Sequence, residues 1–255
     1  MLTIQEHREN NFTVSRAQST VNNVLSAIGF GSGEKFYVMS EPEILSVKSS
    51  DSEDGRAESG AKSLIIKGAR RVNNDQIDYI TETLELNGTS YVTTAYQYSE
   101  IYSIEIEQYG SLGINKGNIT ISKVLGEGYE VLFTLDALEG VKKNSLFVAP
   151  LSMGIKQLNV FINSVDGDKI DFTSVFFEVI IKKLPALPFG KFSSLAFNPD
   201  TSPGTQIARY MCSGGVTTIE MYDYLNPSDI IYCMAKNVTN TDSYTVSTEV
   251  VLYER

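Results

Sequence analysis

The stretch DYITETLELNGTSYVTT, which runs from Asp78 to Thr94, decides the fold class of this chain. Apolar and polar side chains alternate from Asp78 to Leu86, which is the period of a β-strand with one buried face. Asn87-Gly88 follows at once, and this pair tolerates the positive φ angles that a tight hairpin turn requires. Tyr91 to Thr94 is then typical of a returning strand. The stretch therefore predicts an antiparallel β-hairpin.

Outward from this hairpin, strand-like segments continue in both directions along the 255 residues. Turn residues separate them and no long stretch has a helical period, which is typical of sandwiches and jelly rolls. The sequence predicts an all-β protein with two consecutive antiparallel β-sandwich (jelly-roll-like) units, residues 35–140 and 141–255. The predicted boundary falls around Leu138-Glu139-Gly140. The supporting segments are Phe36 to Met39, Ile44 to Val47, Ser63 to Lys67, Ile101 to Gln108, Asn118 to Ile121, Tyr129 to Leu135, Asn144 to Val148, Lys156 to Ile162, Asp171 to Ile181, Thr217 to Tyr222, Ile230 to Ala235 and Thr245 to Leu252.

Residues 1–34 differ from the rest and are predicted to form a polar N-terminal arm. The apolar residues from Val21 to Ile28 have the i, i+3, i+4, i+7 spacing of a short helix. Such a segment buries little surface alone, so it is either an arm that becomes ordered against a neighbouring molecule or a disordered terminus. The residues expected to contact other molecules are Val21, Leu25 and Phe30 in the arm, and Pro185, Leu187 and Pro188 in a proline-rich connection of the second unit.

The residue types that most catalytic and metal centres need are scarce. His7 is the only histidine, so a Ser or Cys nucleophile lacks the imidazole base that it usually needs. Cys212 and Cys233 do not have the paired spacing of a zinc site. We therefore expect a non-enzymatic protein without cofactor or metal. The net charge of −10 argues against nucleic acid as a partner, and no apolar run is long enough for a membrane helix.

The acidic loops leave alternatives open. An EF-hand places a glycine at the sixth position of its loop and a glutamate at the twelfth. Counted from Asp51, the fifth residue is Gly55 and the twelfth is Lys62, so that pattern fails. A looser cation site in this loop, or around Asp166 and Asp168, stays open, and so do plain solvated turns.

Four stretches, taken in their order along the chain, resemble a group of bacteriophage virion structural proteins seen especially in phages of aquatic bacteria. Each is a strand or turn signature, and their specificity lies in the ordered set. They are SVKSSDSEDGRAESGAKSLIIKGAR (Ser46 to Arg70), ITETLELNGTSYVTT (Ile80 to Thr94), YGSLGINKGNITI (Tyr109 to Ile121) and, more weakly, PSDIIYCMAKNVTNTDSYTVSTEVVLYE (Pro227 to Glu254).

The resemblance implies a β-sandwich virion component and brings no catalytic residue with it. It implies a capsid-associated minor or decoration protein that contributes to assembly or stability, or alternatively a neck or tail component. The implied partners are further copies of this chain and a major capsid or neck/tail protein, in a virion assembled in the host cytoplasm. Two other classes stay open: a receptor- or glycan-binding module using the loops Asp51–Gly60 and Gly110–Gly117, and a hydrolase with an Asp/Glu pair.

Overall fold

The computed structural model describes residues 11–13, 17–29, 35–39, 41–72, 77–125, 128–143, 147–149, 152–164, 175–184, 195–197, 204–226 and 229–254. Within these ranges the chain forms twenty β-strands and no helix, so the predicted all-β class is confirmed. No helix in the described ranges is therefore long and apolar enough to cross a membrane.

The strands follow one another in chain order as β1 (Asn11–Thr13), β2 (Ala17–Val21), β3 (Ser26–Ala27), β4 (Phe36–Val38), β5 (Glu43–Ser49), β6 (Ala61–Arg71), β7 (Ile77–Glu85), β8 (Val92–Tyr98), β9 (Glu100–Tyr109), β10 (Ile119–Leu125), β11 (Gly128–Leu135), β12 (Val141–Lys143), β13 (Phe147–Val148), β14 (Met153–Ser164), β15 (Phe176–Leu184), β16 (Leu195–Phe197), β17 (Thr205–Ser213), β18 (Gly215–Leu225), β19 (Ile230–Asn237) and β20 (Tyr244–Glu254).

The chain divides into two compact units whose sequences are interleaved. The short strand β16 belongs to the same unit as β4, because the two strands pair, with Leu195 opposite Val38. The sequence predicts this segment as part of the sandwich of residues 141–255. No local pattern indicates that the chain leaves that sandwich here to pair with β4. Unit 1 comprises Met1–Glu34, Lys143–Leu187 and Asn198–Arg255, and unit 2 comprises Lys35–Lys142 and Pro188–Phe197.

Unit 1 is a sandwich of two antiparallel sheets. Sheet I has the strand order β1-β20-β14-β18, with β2 also pairing with β20, and sheet II has the order β13-β19-β15-β17, with β3 also pairing with β19. Alternate side chains of both sheets enter one core. Leu158 and Val160 come from sheet I, Val179 and Ile181 come from sheet II, and all four are fully buried.

Unit 2 is a second sandwich with its own core. Sheet III has the order β11-β10-β5-β8, and sheet IV has the order β12-β9-β6-β7. Leu45 and Val47 of sheet III meet Leu64 and Ile66 of sheet IV, and all four are fully buried. The alternation that predicted strands thus points the apolar set of each strand into the sandwich.

The helix predicted between Val21 and Ile28 is wrong. β2 ends at Val21, which pairs with Tyr244 of β20, and Ala27 of β3 pairs with Met234 of β19. The edges of sheets I and II offer these short segments backbone hydrogen bonds, and this tertiary context outweighs a weak helical spacing. The N-terminal strands are therefore part of unit 1.

The hairpin predicted across Asn87-Gly88 is also wrong, although its strand and its turn are correct. β7 pairs with β6 in sheet IV, whereas β8 pairs with β5 in sheet III. Gly88 has the expected positive φ of 57°. Its backbone bonds elsewhere: Gly88 N–H donates to Asp54 O at 2.6 Å, and Gly88 O accepts from Ser49 N–H at 3.0 Å. The turn thus links two sheets across the sandwich.

Candidate functional site

The outer face of sheet III carries a group of exposed apolar and aromatic side chains. On β5, Leu45 and Val47 are buried, so Ile44 and Lys48 lie on the opposite face. On the neighbouring strands Val124 is 54% exposed and Tyr129 is 47% exposed. We call this surface the aromatic face, and it consists of Ile44, Lys48, Tyr91, Val124, Tyr129 and Val131.

Two tyrosines form the centre of the aromatic face. The rings of Tyr91 and Tyr129 are stacked, with centroids 4.1 Å apart and an interplanar angle of 14°. Lys48 Nζ lies 4.6 Å from the centroid of the Tyr91 ring. Such stacking and cation–π contacts each contribute about 0.5–1.5 kcal/mol and fix the rings in place. The face therefore presents large side chains that are already ordered.

Small residues occupy the row of sheet III between these rings. Ser46 and Ser122 face each other across β5 and β10, and they are 4% and 1% exposed. At the margin of the face, Lys123 Nζ pairs with Glu43 Oε1 at 2.7 Å. Among the described residues, Lys48 makes no ion pair. The face therefore combines apolar area with one cation, Lys48, that has no carboxylate partner in the part of the chain that the structure describes.

A second feature of unit 2 is a loop cluster held together by Asp54. The loops concerned are Asp51–Gly60 and Gly110–Gly117, both predicted as candidate glycan-binding loops, and the structure brings them together. Asp54 is fully buried. Its Oδ1 accepts from Ala61 N–H and Lys116 N–H, both at 2.9 Å, and its Oδ2 accepts from Ser49 Oγ at 2.6 Å and Gly117 N–H at 2.8 Å.

This bonding gives the acidic loop a structural role. Both oxygens of Asp54 are already occupied by donors, which is the opposite of what a cation requires. In the described part of the chain, no group of three or more His, Cys, Asp or Glu side chains could hold a metal ion. Gly60 is required because a Cβ there would collide with the Asp54 carboxylate. The other candidate cation loop, around Asp166 and Asp168, lies outside the described residues.

Asn115 fixes the adjoining turn in the same way. It is fully buried; its Nδ2 donates to Asp136 O at 2.7 Å, and its Oδ1 accepts from Gly140 N–H at 3.1 Å. The turn holds Leu138 at a positive φ of 64°, and the residue is 67% exposed. A leucine in this conformation is uncommon, and here it lies in a turn that Asn115 holds by hydrogen bonds on both sides, including Leu138 N–H to Asn115 O at 3.1 Å.

The structure places the sequence-predicted contact residues as follows. Val21 is fully buried in the core of unit 1, so its side chain has no surface to offer another molecule in this fold. Leu25 is partly buried. Phe30, Pro185, Leu187 and Pro188 lie outside the described residues, and their contact role stays a prediction.

Sequence reasoning missed the aromatic face. A signal was present, because the strands of sheet III carry apolar residues at outward positions as well as inward ones. Val124 and Val131 occupy positions at which a solvated antiparallel sheet normally has polar residues. The proximity of Tyr91 and Tyr129 depends on the curvature and pairing of four strands, which local patterns do not specify.

No protein-family model matches the sequence, and comparison with curated proteins finds no similar one. Among solved structures, the chain is similar to a structure of the Gx strain of infectious bursal disease virus, with 10% identity and a TM-score of 0.24 over 96% of this chain and 72% of that one. It is also similar to the VP2 subviral particle of infectious bursal disease virus, with 9% identity and a TM-score of 0.20 over 95% of this chain and 69% of that one. Both neighbours come from structures of virus material, and TM-scores of 0.24 and 0.20 establish neither a shared fold nor a shared function.

Proposed function

We propose that this chain is a non-enzymatic structural protein of a virus particle, and specifically a capsid-associated minor or decoration protein of a bacteriophage. The observation that carries the proposal is the aromatic face. Monomeric soluble proteins rarely expose contiguous apolar patches larger than roughly a few hundred Å², and contact with another protein is one of the roles that such patches serve. The resemblance of four ordered sequence stretches to phage virion proteins supports the same conclusion.

The aromatic face suits a contact between proteins because its large side chains are pre-ordered. Tyr91 and Tyr129 are already stacked, so little conformational entropy is lost when a neighbour covers them. Tyrosine is also among the residues that contribute most to binding energy at interfaces. Lys48, which has no carboxylate partner among the described residues, supplies an attraction for an acidic group of the neighbour.

The acidic composition fits this role. A net charge of −10 keeps separate copies soluble, because like charges repel at long range. Short-range apolar contacts in the particle then outweigh a repulsion that is screened beyond about 8 Å at physiological salt. In this scheme association depends on the aromatic face rather than on overall charge.

The experiment that tests this proposal is to locate the protein in purified particles by high-resolution imaging. We expect density for unit 2 against a shell protein or a second copy, with the aromatic face in the contact. Density at the neck or tail would replace the capsid assignment with the alternative location. Absence of the protein from particles would overturn the proposal.

A variant pair makes the test specific to the aromatic face. Val124→Thr with Tyr129→Ser removes apolar area from exposed positions, so folding is retained while incorporation into particles falls at least tenfold. Tyr96→Ser is the matched control, because Tyr96 is 53% exposed and lies outside the aromatic face. Normal incorporation of the double variant would show that another surface makes the contact.

A further inference from the structure

The outer face of sheet I in unit 1 has a different chemistry from the aromatic face. Leu158 and Val160 of the central strand β14 point into the core, so Asn159 between them points outward. It lies opposite Thr218 of β18 on one side and Glu249 of β20 on the other. Polar side chains thus form a continuous row across three strands, which we call the polar ladder: Gln157, Asn159, Thr218 and Glu249.

Hydrogen bonds fix the orientation of every member of the polar ladder. Asn159 Nδ2 donates to Glu249 Oε1 at 3.1 Å, and Asn159 Oδ1 accepts from Thr218 Oγ1 at 3.1 Å and from Gln157 Nε2 at 2.6 Å. The carboxylate of Glu249 only accepts, so it determines which end of the Asn159 amide carries the donors. The ladder is therefore ordered before any ligand arrives.

The ladder keeps hydrogen-bonding capacity that no described residue uses. One N–H of Asn159, one N–H and the Oε1 of Gln157, and the Oε2 of Glu249 have no partner among the described side chains. The unused groups therefore include both donors and acceptors. Such an arrangement matches vicinal hydroxyl groups, each of which donates one hydrogen bond and accepts others.

Tyrosines flank the polar ladder. Tyr222, on the edge strand β18, is 80% exposed, and its hydroxyl donates to Glu220 Oε2 at 3.1 Å. Further along the same strand, Tyr224 lies opposite Gly154 of β14, and Gly154 lies opposite Tyr253 of β20. A Cβ at Gly154 would overlap the Tyr253 ring, so that ring packs directly against the backbone of β14. Aromatic rings thus stand beside the ladder.

We infer that the outer face of sheet I binds a neutral saccharide, with Tyr222 as the stacking platform and the polar ladder as the hydroxyl-binding row. Aromatic side chains combined with a small number of fixed polar groups are the usual lining of a site for a small ligand. The carboxylates of Glu220 and Glu249 select against sugars that carry sulfate or carboxylate groups. This site goes beyond the proposed function and does not depend on it.

The test is affinity electrophoresis of the full chain in gels that contain dextran, mannan or galactan, with alginate as the anionic arm. We expect at least one neutral polysaccharide to retard the protein. Tyr222→Ala and Asn159→Ala should each weaken the apparent affinity about tenfold or more, which corresponds to about 1.4 kcal/mol. Tyr96→Ser, outside both faces, should be retarded like the parent protein.

Each other outcome overturns the inference. No retardation by any of the neutral polysaccharides removes it, and so does retardation by alginate alone. Retardation that survives both Tyr222→Ala and Asn159→Ala places binding elsewhere. Thermal unfolding of each variant checks that the fold is retained. Incorporation into particles is measured separately, so failure here leaves the proposed structural role intact.

Discussion

Asp54 shows how one buried carboxylate determines the conformation of two loops. Its four hydrogen bonds come from both sides of the loop cluster, three of them from backbone N–H groups. Loops of this kind have no ladder of their own to satisfy their backbone groups, so a buried acceptor takes that place. Asp54 therefore fixes the conformation of the two loops, although the acidic residues around it in the sequence suggested a cation or glycan site.

Asp54→Asn is expected to lower the free energy of unfolding of unit 2 by about 2–4 kcal/mol, because it replaces a charged acceptor with an NH2 group that faces donors. Asp51→Asn is the control, since the Asp51 side chain is 31% exposed. Its Oδ1 accepts one hydrogen bond, from Glu53 N–H, and its Oδ2 lies 3.8 Å from Lys116 Nζ in a partly exposed ion pair that contributes little. Urea unfolding measures both. Equal stability of the Asp54 variant and the parent would contradict this account of the loop cluster.

Glu178 is the corresponding case in unit 1. Its side chain is 3% exposed, pairs with Arg209, and lies 2.8 Å from Lys236 Nζ through Oε2. The hydrogen bond from Lys236 is the main cause that lowers the pKa of Glu178, and Arg209 lowers it further. The folded state thus binds this proton more weakly than the unfolded state does. Its stabilising contribution is present above the ordinary pKa of 4.5 and is lost as the pH falls through the lower folded pKa.

Glu178→Gln should therefore flatten the dependence of stability on pH below about 4.5, while lowering stability near neutral pH. Urea unfolding between about pH 3 and 7 measures the difference between variant and parent. Glu85→Gln, with a side chain that is 61% exposed, controls for general charge removal. An unchanged acid slope in the Glu178 variant would show that its ion pairs do not contribute.

At the scale of elements, β7 and β8 are the edge strands of sheets IV and III. They lie next to each other without pairing as strands, and we call this junction the seam. Glu82 of β7 is 6% exposed and lies at this seam. It accepts from Ala95 N–H at 2.6 Å and from Tyr98 Oη–H at 3.1 Å. A charge pointing inward from an edge strand satisfies donors of β8 and disfavours pairing with a foreign strand.

Glu82→Ala should expose the edge of β8 and cost about 1–3 kcal/mol, because Ala95 N–H and the Tyr98 hydroxyl lose their acceptor. Hydrogen–deuterium exchange should show faster exchange at Ala95 and Tyr96, and the variant should aggregate more readily at raised concentration. Glu85→Ala on the exposed side of the same strand is the control. Protection of Ala95 that equals that of the parent would contradict the role of Glu82.

The elements also show what the sequence could predict. Strand positions follow from local alternation: the segment predicted from Asp78 to Leu86 is Ile77–Glu85, and that predicted from Ile101 to Gln108 is Glu100–Tyr109. The pairing partners of the strands do not follow from local alternation. For example, β7 and β8 are joined by a turn that the Asp51–Gly60 loop holds through long-range hydrogen bonds. The aromatic face and the polar ladder depend on such pairings, so they became visible only in the fold.

At the scale of the whole molecule, each sandwich is built from segments that are not consecutive in the chain. The N-terminal strands complete unit 1, whose other strands come from beyond residue 142. Val21 and Ile28 are fully buried in its core, and backbone bonds tie this segment to β19 and β20, as in Ile28 N–H to Cys233 O at 2.9 Å. The segment therefore contributes to folding of its own chain, which the arm interpretation did not include.

Deletion of residues 1–33 should consequently destabilise unit 1 and leave unit 2 unchanged. Loss of the buried Val21 and Ile28 side chains alone removes about 3–6 kcal/mol of apolar burial. Hydrogen–deuterium exchange resolved by peptide measures this directly: β19 and β20 should lose protection, while β5, β6 and β10 should keep theirs. The substitution Val21→Ala tests the same point without removing backbone. An arm that only anchors the protein to a neighbour would instead leave both units fully protected in the isolated chain and affect incorporation into particles alone.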